Sequence, residues 1–405
     1  MTATKNRYSI ARYTIYFLNC LLLITLLSGC TVIAKHSRQQ VVFDNSNLYF
    51  VLFPEHISSN KSINLQDFEL IDVDLKYVSL SGIDFSTSKF THLNFEHATL
   101  EDIFFHGSNI KDADFSHATL SNVSFAGAHL ENVNFSNTKF INVDFTGAYI
   151  SHSVFENSLF FNSKLERSHF SDSIFISSTF QKTYLLNAKF IYSTISNVNF
   201  SKQYMKAIDF TGSHIKHSMF TQSNMENSKL SYAKISGSDF SGSLLINTKA
   251  KNTSWKSVNL SGIKGIGMNF DKNTITDSLM NNADLRESRF LETRFSNTSL
   301  HSSNMEYTNF SFSQMDYSDI SNSNISRANF NRTSLSHAKL NKSKAKWTSF
   351  VMTDLSHTDF SDADIHKADF RGANLKATNF SRAIYFKNAI GFDKANNFSP
   401  NDADL

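Results

Sequence analysis

Three sets of residues in this chain have the types and spacing to do chemistry. The first is one thiol, Cys30, which follows Leu27-Ser28-Gly29 at the end of a 15-residue apolar run from Tyr13. The second is histidine: His97, His117, His217, His337 and His357, five of fifteen, share one position modulo twenty. If twenty residues made one structural turn, His97 would neighbour His117 and His337 would neighbour His357 at ~5 Å. Such pairs could chelate a transition metal, but a pair without a third ligand makes a weak site. These four are therefore weak metal candidates, and the plainer reading is that histidine suits a left-handed turn. The third set is Tyr307, Phe312, Tyr317, Trp347 and Met352, large side chains at a phase where small polar residues are the rule. Clustered exposed side chains of these types mark partner surfaces. The chain has no Gly-rich phosphate loop, HExxH or serine elbow. Its carboxylates fall on outward phases of the repeat described below, where no cleft would shift a pKa or exclude water. No catalytic residue and no cofactor is expected, and the chain reads as a non-enzyme.

Cys30 gains its meaning from what precedes it. Lys5, Arg7 and Arg12 form a basic segment without an acid, and the apolar run is short against the ~20 residues of a spanning helix. Leu27-Ser28-Gly29-Cys30 resembles the lipobox of bacterial lipoproteins, in which cleavage leaves the cysteine as the mature N-terminus. The resemblance implies a diacylglyceryl thioether on Cys30, a bond for which a thiolate is the nucleophile, and multiple acyl chains that anchor stably where one would not. Thr31, rather than Asp, follows the cysteine, which by the same analogy implies the outer membrane. Cys20 leaves with the leader, so the mature chain has one cysteine and no internal disulfide. Lys5, Arg7 and Arg12 leave too, so 39 basic residues fall to 36 against 36 acidic ones. A net charge of zero disfavours a nucleic-acid binder.

A period of five runs through nearly everything else. Counting every fifth residue from Leu65 to Tyr385, 62 of 65 positions are Leu, Ile, Phe, Met, Trp or Tyr; only Ala250, Gly265 and Ala345 depart. Two residues before each, 60 of 65 are Ser, Thr, Ala, Val or Ile, and neither set holds a charge. On an α-helix a step of five rotates each apolar position by about 140° and smears the stripe around the cylinder. In a straight strand an odd step alternates faces. The chain must therefore turn once in every five residues. The turn falls two residues after each large apolar one, where Asn, Gly, Asp and His fill 38 of 66 positions. These are the residues that best tolerate positive φ.

This pattern resembles the pentapeptide-repeat family, A-(D/N)-(L/F)-x-x, as in Ala113-Asp114-Phe115-Ser116-His117, Ala363-Asp364-Ile365 and Ala373-Asn374-Leu375. The resemblance covers about four-fifths of the chain. It implies an all-β, right-handed quadrilateral β-helix with four fives per coil, hence about sixteen coils in a rod of ~75–80 Å. Phe140, Phe160, Phe180, Phe200, Phe220 and Phe240, then Phe270, Phe290, Phe310, Phe330, Phe350 and Phe370, recur at twenty and would stack as columns. Ser or Thr often replaces the small inward Ala; such hydroxyls must bond to backbone to be buried cheaply.

The expected organisation is a leader at 1–29, a lipidated N-terminus and tether at 30–40, an N-terminal cap at 41–60, the β-helix at 61–387, and a C-terminal cap or tail at 388–405. An open solenoid needs both ends covered, and both prolines, Pro54 and Pro400, lie outside the array. Charge is uneven: residues 61–160 hold 13 acids and 5 bases, 161–265 the reverse, and 266–390 hold 13 and 15. The expectation is a non-catalytic, lipid-anchored protein of the bacterial cell envelope, held to the outer membrane by its N-terminal lipid. It would serve as a structural or protein-interaction scaffold for an unknown protein partner, with no nucleic acid. Two alternatives stand beside it. Some cytoplasmic members of the resembled family mimic DNA and bind type II topoisomerases, and the histidines would suit a metal- or ligand-binding envelope protein.

Overall fold

The computed structural model describes residues 32–36, 39–43 and 63–397. The leader with Cys30, most of the expected N-terminal cap and residues 398–405 lie outside the described residues.

Each five-residue repeat closes because its corner residue takes the left-handed conformation. Asp72 (φ 56°), His97 (60°), Gly147 (66°) and even β-branched Thr87 (62°) all sit there. Four such corners make one twenty-residue coil, and each short strand pairs in parallel with the strand twenty residues on. Glu69–Ile71 pairs with Lys89–Thr91, which pairs with Asn109–Lys111. The fold is thus an all-β parallel solenoid. Each outward edge of a coil finds its backbone partner in the next coil, as in Phe95 N–H to Asp114 O at 2.6 Å.

The chain divides into two compact units. Residues 63–174 with 178–183 belong to the first, and 175–177 with 184–397 to the second. Counted by unit, the second, residues 184–397, holds about eleven twenty-residue coils.

The large residues fill the core as the period requires. In the first unit Phe140, Phe160 and Phe180 stack at 4.5 and 4.7 Å between ring centroids. In the second, Phe200, Phe220 and Phe240 stack at 5.2 and 4.4 Å, and the column from Phe270 to Phe370 runs unbroken at 4.9–5.4 Å. The inward hydroxyls find the backbone. Thr138 Oγ1 donates to Phe115 O at 2.7 Å and Thr253 Oγ1 to Leu230 O at 2.7 Å, the same 23-residue step. The gap at Gly265 is filled from the following repeat: a Cβ there would meet Met268 Cε at 2.5 Å, so the long Met268 occupies the space.

The ends use different devices. Val32–His36 and Gln39–Phe43, straddling the expected tether and cap, form an antiparallel pair. The first of these strands also pairs antiparallel with Glu69–Ile71, covering an edge that would otherwise be open. At the other end the register slips: Asp369 pairs with Ile390 and Asn374 with Asn396, steps of 21 and 22 residues. Two 3₁₀ turns, Phe386–Asn388 and Phe392–Lys394, absorb the added residues, and Phe386 stacks on Phe392 at 4.4 Å.

Candidate functional site

The corner phase is where side chains leave the core and point outward, so candidate partner residues should collect there. In the second unit three successive corners carry them in adjacent coils. On the first corner, Arg327 lies between the rings of Tyr307 and Trp347, its guanidinium 5.2 and 5.0 Å from their centroids. It also donates to Tyr307 Oη at 2.6 Å and approaches Glu306 at 3.4 Å. On the second corner, Arg332 covers the Phe312 ring at 5.5 Å, with Met352 one coil further. On the third, Tyr317, His337 and His357 stack at 4.8 and 4.6 Å with planes 4° apart.

The five residues of the expected aromatic group stand on three adjacent corners, as three parallel ladders. The sequence reading named Tyr307, Phe312, Tyr317, Trp347 and Met352 and missed the two arginines. Their signal was present: Arg327 stands twenty residues from both Tyr307 and Trp347, and Arg332 twenty from both Phe312 and Met352. Trp347 is 46% exposed and meets the edge of His366 at 5.5 Å, while Ala345, at the core position of its repeat, is fully buried. The indole thus lies on the outer surface over Arg327 instead of folding inward. An arginine held between two ring faces is attracted by both and is presented as part of a rigid ridge.

The histidines follow the same ladder logic. In the first unit Tyr77, His97 and His117 stack at 5.0 and 4.7 Å, matching the Tyr317–His337–His357 set. His97 Nε2 lies 3.4 Å from Glu96, whose carboxylate pairs with Lys76 at 2.6 Å. Imidazole lone pairs lie in the ring plane, so face-to-face stacking directs them side by side and not toward one point. Among the described residues no three His, Cys, Asp or Glu side chains assemble around a common centre. The stacks form an aromatic strip along their corner.

Polar ladders use the same spacing. Asn122, Asn142 and Asn162 each donate through Nδ2 to the residue one coil earlier, beginning at Asp102, at 2.8–3.1 Å. Some neighbouring charges are paired in place. Arg382 grips Asp362 at 2.6 and 2.9 Å, and that hydrogen-bonded pairing holds the Asp362 carboxyl below the usual range. The side-chain hydrogen bond from Arg286 does the same for Asp284, against a smaller opposing effect of burial.

Two family descriptions match the chain. One, a pentapeptide repeat region, covers residues 83–155 and 153–227; the other, pentapeptide repeats (8 copies), covers 208–247, 278–313, 313–350 and 349–382. The chain belongs to the pentapeptide-repeat family. Pentapeptide-repeat structures similar to it include HetL, involved in heterocyst differentiation regulation in the cyanobacterium Nostoc sp., at 14% identity. That match covers 76% of this chain and 90% of HetL, with a TM-score of 0.18. Full-length QnrB1, a plasmid-mediated fluoroquinolone resistance protein, is 16% identical over 53% of this chain and 92% of its own, with a TM-score of 0.22. Outside the pentapeptide repeats, PfbA, a surface adhesin of Streptococcus pneumoniae, is 11% identical over 73% and 86%, with a TM-score of 0.28. No curated protein matches the chain.

Proposed function

We propose that this pentapeptide-repeat protein is a non-catalytic, lipid-anchored scaffold of the bacterial envelope, with the Tyr307–Arg327–Trp347 ridge as the place where a protein partner docks. The ridge carries this reading. Tyr, Trp and Arg are the residue types that dominate binding hot spots, and here all three stand outward on one corner, stacked and pre-ordered before a partner arrives. Pentapeptide-repeat β-helices are generally non-catalytic, which agrees with a solenoid whose interior is filled by stacked rings.

The anchor rests on the N-terminal pattern ending in Leu27-Ser28-Gly29-Cys30. Its test is radiolabelled palmitate followed by fractionation: label should enter the wild type in the membrane fraction and vanish from Cys30→Ala. Label retained by Cys30→Ala removes the lipoprotein reading. An unlabelled protein in the cytoplasmic fraction would favour the DNA-mimic alternative. The docking role is tested by crosslinking in intact cells, where one specific adduct of the wild type should be lost in Trp347→Ala without loss of folded protein.

A further inference from the structure

One side of the second unit differs from the others in what it exposes. Residues flanking the core positions at 185, 205, 225, 245 and 265 form a single outer face. Backbone pairing runs from coil to coil along it: Tyr204 bridges Asn224, Asn224 bridges Leu244 and Leu244 bridges Lys264, while Asn187 N–H donates to Lys206 O at 3.0 Å. Six of its ten outward side chains are apolar or aromatic, namely Tyr184, Leu186, Tyr204, Leu244, Ile246 and Ile266. Tyr184 and Tyr204 are more than half exposed.

The remaining residues on this face, with two lysines and one acid, leave it a net charge of +1. Glu226, the only acid among the ten, is neutralised by Lys206 at 3.0 Å. Lys264 on the face and Lys202 on its bounding corner are exposed. The other bounding corner is low, built from Asn187, Ala207, Asn227, Asn247 and Gly267, so nothing bulky holds a flat surface away. Just past it stand Lys189 and Lys249, while Asp209 there is taken by Lys229 at 3.2 Å. The opposite face of the same coils also carries lysines, Lys216, Lys234 and Lys256, but its other outward residues from Thr194 to Lys256 are Thr, Ser and His, with no apolar one.

We infer that this face seats the protein on an anionic lipid surface. Tyrosine settles at the headgroup level with its ring toward the acyl region, Leu and Ile enter the boundary, and lysines at the margin reach anionic headgroups. Five coils at ~4.8 Å give a contact strip of ~20 Å, parallel to the bilayer plane. A polyanion such as nucleic acid would be served equally well by the opposite, purely polar basic face; the apolar strip is what selects lipid. The inference deepens the envelope reading and borrows from it only the compartment.

The test uses the full chain in vesicles, with a tryptophan as a depth probe. Trp347→Phe leaves Trp255, which is fully buried and serves as an unquenched baseline. Leu244→Trp then reports from the inferred lipid face and Ser254→Trp from the opposite one. With nitroxide-labelled lipid in phosphatidylglycerol-containing vesicles, the Leu244→Trp emission should be lost and the Ser254→Trp emission kept. Lys202→Glu with Lys264→Glu should weaken the quenching by ~30-fold or more in effective lipid affinity, and pure phosphatidylcholine should abolish it. Equal quenching at both positions, no quenching at Leu244→Trp, or capture on lipid-free heparin that protects the same face would each overturn the inference. Anchorage and seating separate cleanly. A palmitate-labelled protein without Leu244→Trp quenching keeps its anchor and loses this face, and an unlabelled protein with quenching does the reverse.

Discussion

Replacing Trp347 with alanine distinguishes a docking ridge from a structural plug, and the geometry sets the size of the effect. A fully covered aromatic side chain buries ~150–250 Å². Trp347 is 46% exposed, so roughly 100 Å² of it is covered, which at ~25 cal/mol/Å² is about 2.5 kcal/mol. A denatured chain already hides a part of that area, which lowers the figure to about 1.5–2 kcal/mol. Of this, ~0.5–1 kcal/mol belongs to the guanidinium of Arg327 under the ring. Arg327 remains in place after the substitution because Tyr307 still stacks on it and accepts its hydrogen bond. A core large-to-small change would instead cost ~3–5 kcal/mol. The assay is native-state hydrogen exchange over the coils around residues 325–370, since a long repeat array need not unfold in one step. A double-mutant cycle with Arg327→Ala should give a coupling of ~0.5–1 kcal/mol. A loss of 3 kcal/mol or more without coupling to Arg327 would refute the reasoning and make the indole a filler.

Phe200→Asp should be severely destabilising, because a carboxylate would enter a fully buried site between Phe190, Phe210 and Phe220. Ser201→Asp, on the outward phase, should change stability by under ~0.5 kcal/mol; comparable losses in denaturant titration would mean that the five-residue phase is misassigned. The Lys76–Glu96 pair should respond to pH at both ends. Hydrogen bonding to Lys76 lowers the Glu96 carboxyl from 4.5, so its contribution is complete above that value and fades as pH falls through the depressed folded one. Hydrogen bonding to Glu96 raises the Lys76 ammonium from 10.5, so its part is complete below that value and fades as pH rises beyond the raised one. Both groups are partly exposed, so the effect is small, and Lys76→Met should flatten it in a pH series of exchange rates over the first unit. Gly212→Ala should be worse than Gly262→Ala. Both corners have positive φ, but only at Gly212 would a Cβ strike a ring, that of Tyr192 at 2.3 Å, whereas open space surrounds Gly262. Thermal melts of the two variants would show equal losses if φ alone mattered.

The phase of each repeat is legible in the amino-acid order alone: which residue of each five faces inward, which is small, and which turns. A repeat of five leaves only one way to keep two apolar phases inside, and the left-handed corner follows from local sterics at residues such as Asn142 and Gly147. The twenty-residue columns of phenylalanine were also legible, because like residues recur at that spacing. What the tertiary structure decided is which side chains meet across coils, and how. The sequence listed Tyr307 and Trp347 and placed Arg327 twenty residues from both, but a charged corner residue is ordinary until its ring neighbours are seen above and below it. It brought His97 beside His117 yet did not say whether the rings would converge or stack, which depends on side-chain rotation. It marked Gly265 as a gap without showing that Met268 bends into it, and it gave no warning that the final coil slips to 21 and 22 residues. Backbone phase is a short-range property that each repeat enforces on itself. Ring orientation, gap filling and end closure depend on packing between residues twenty apart, and only the wound chain brings those together.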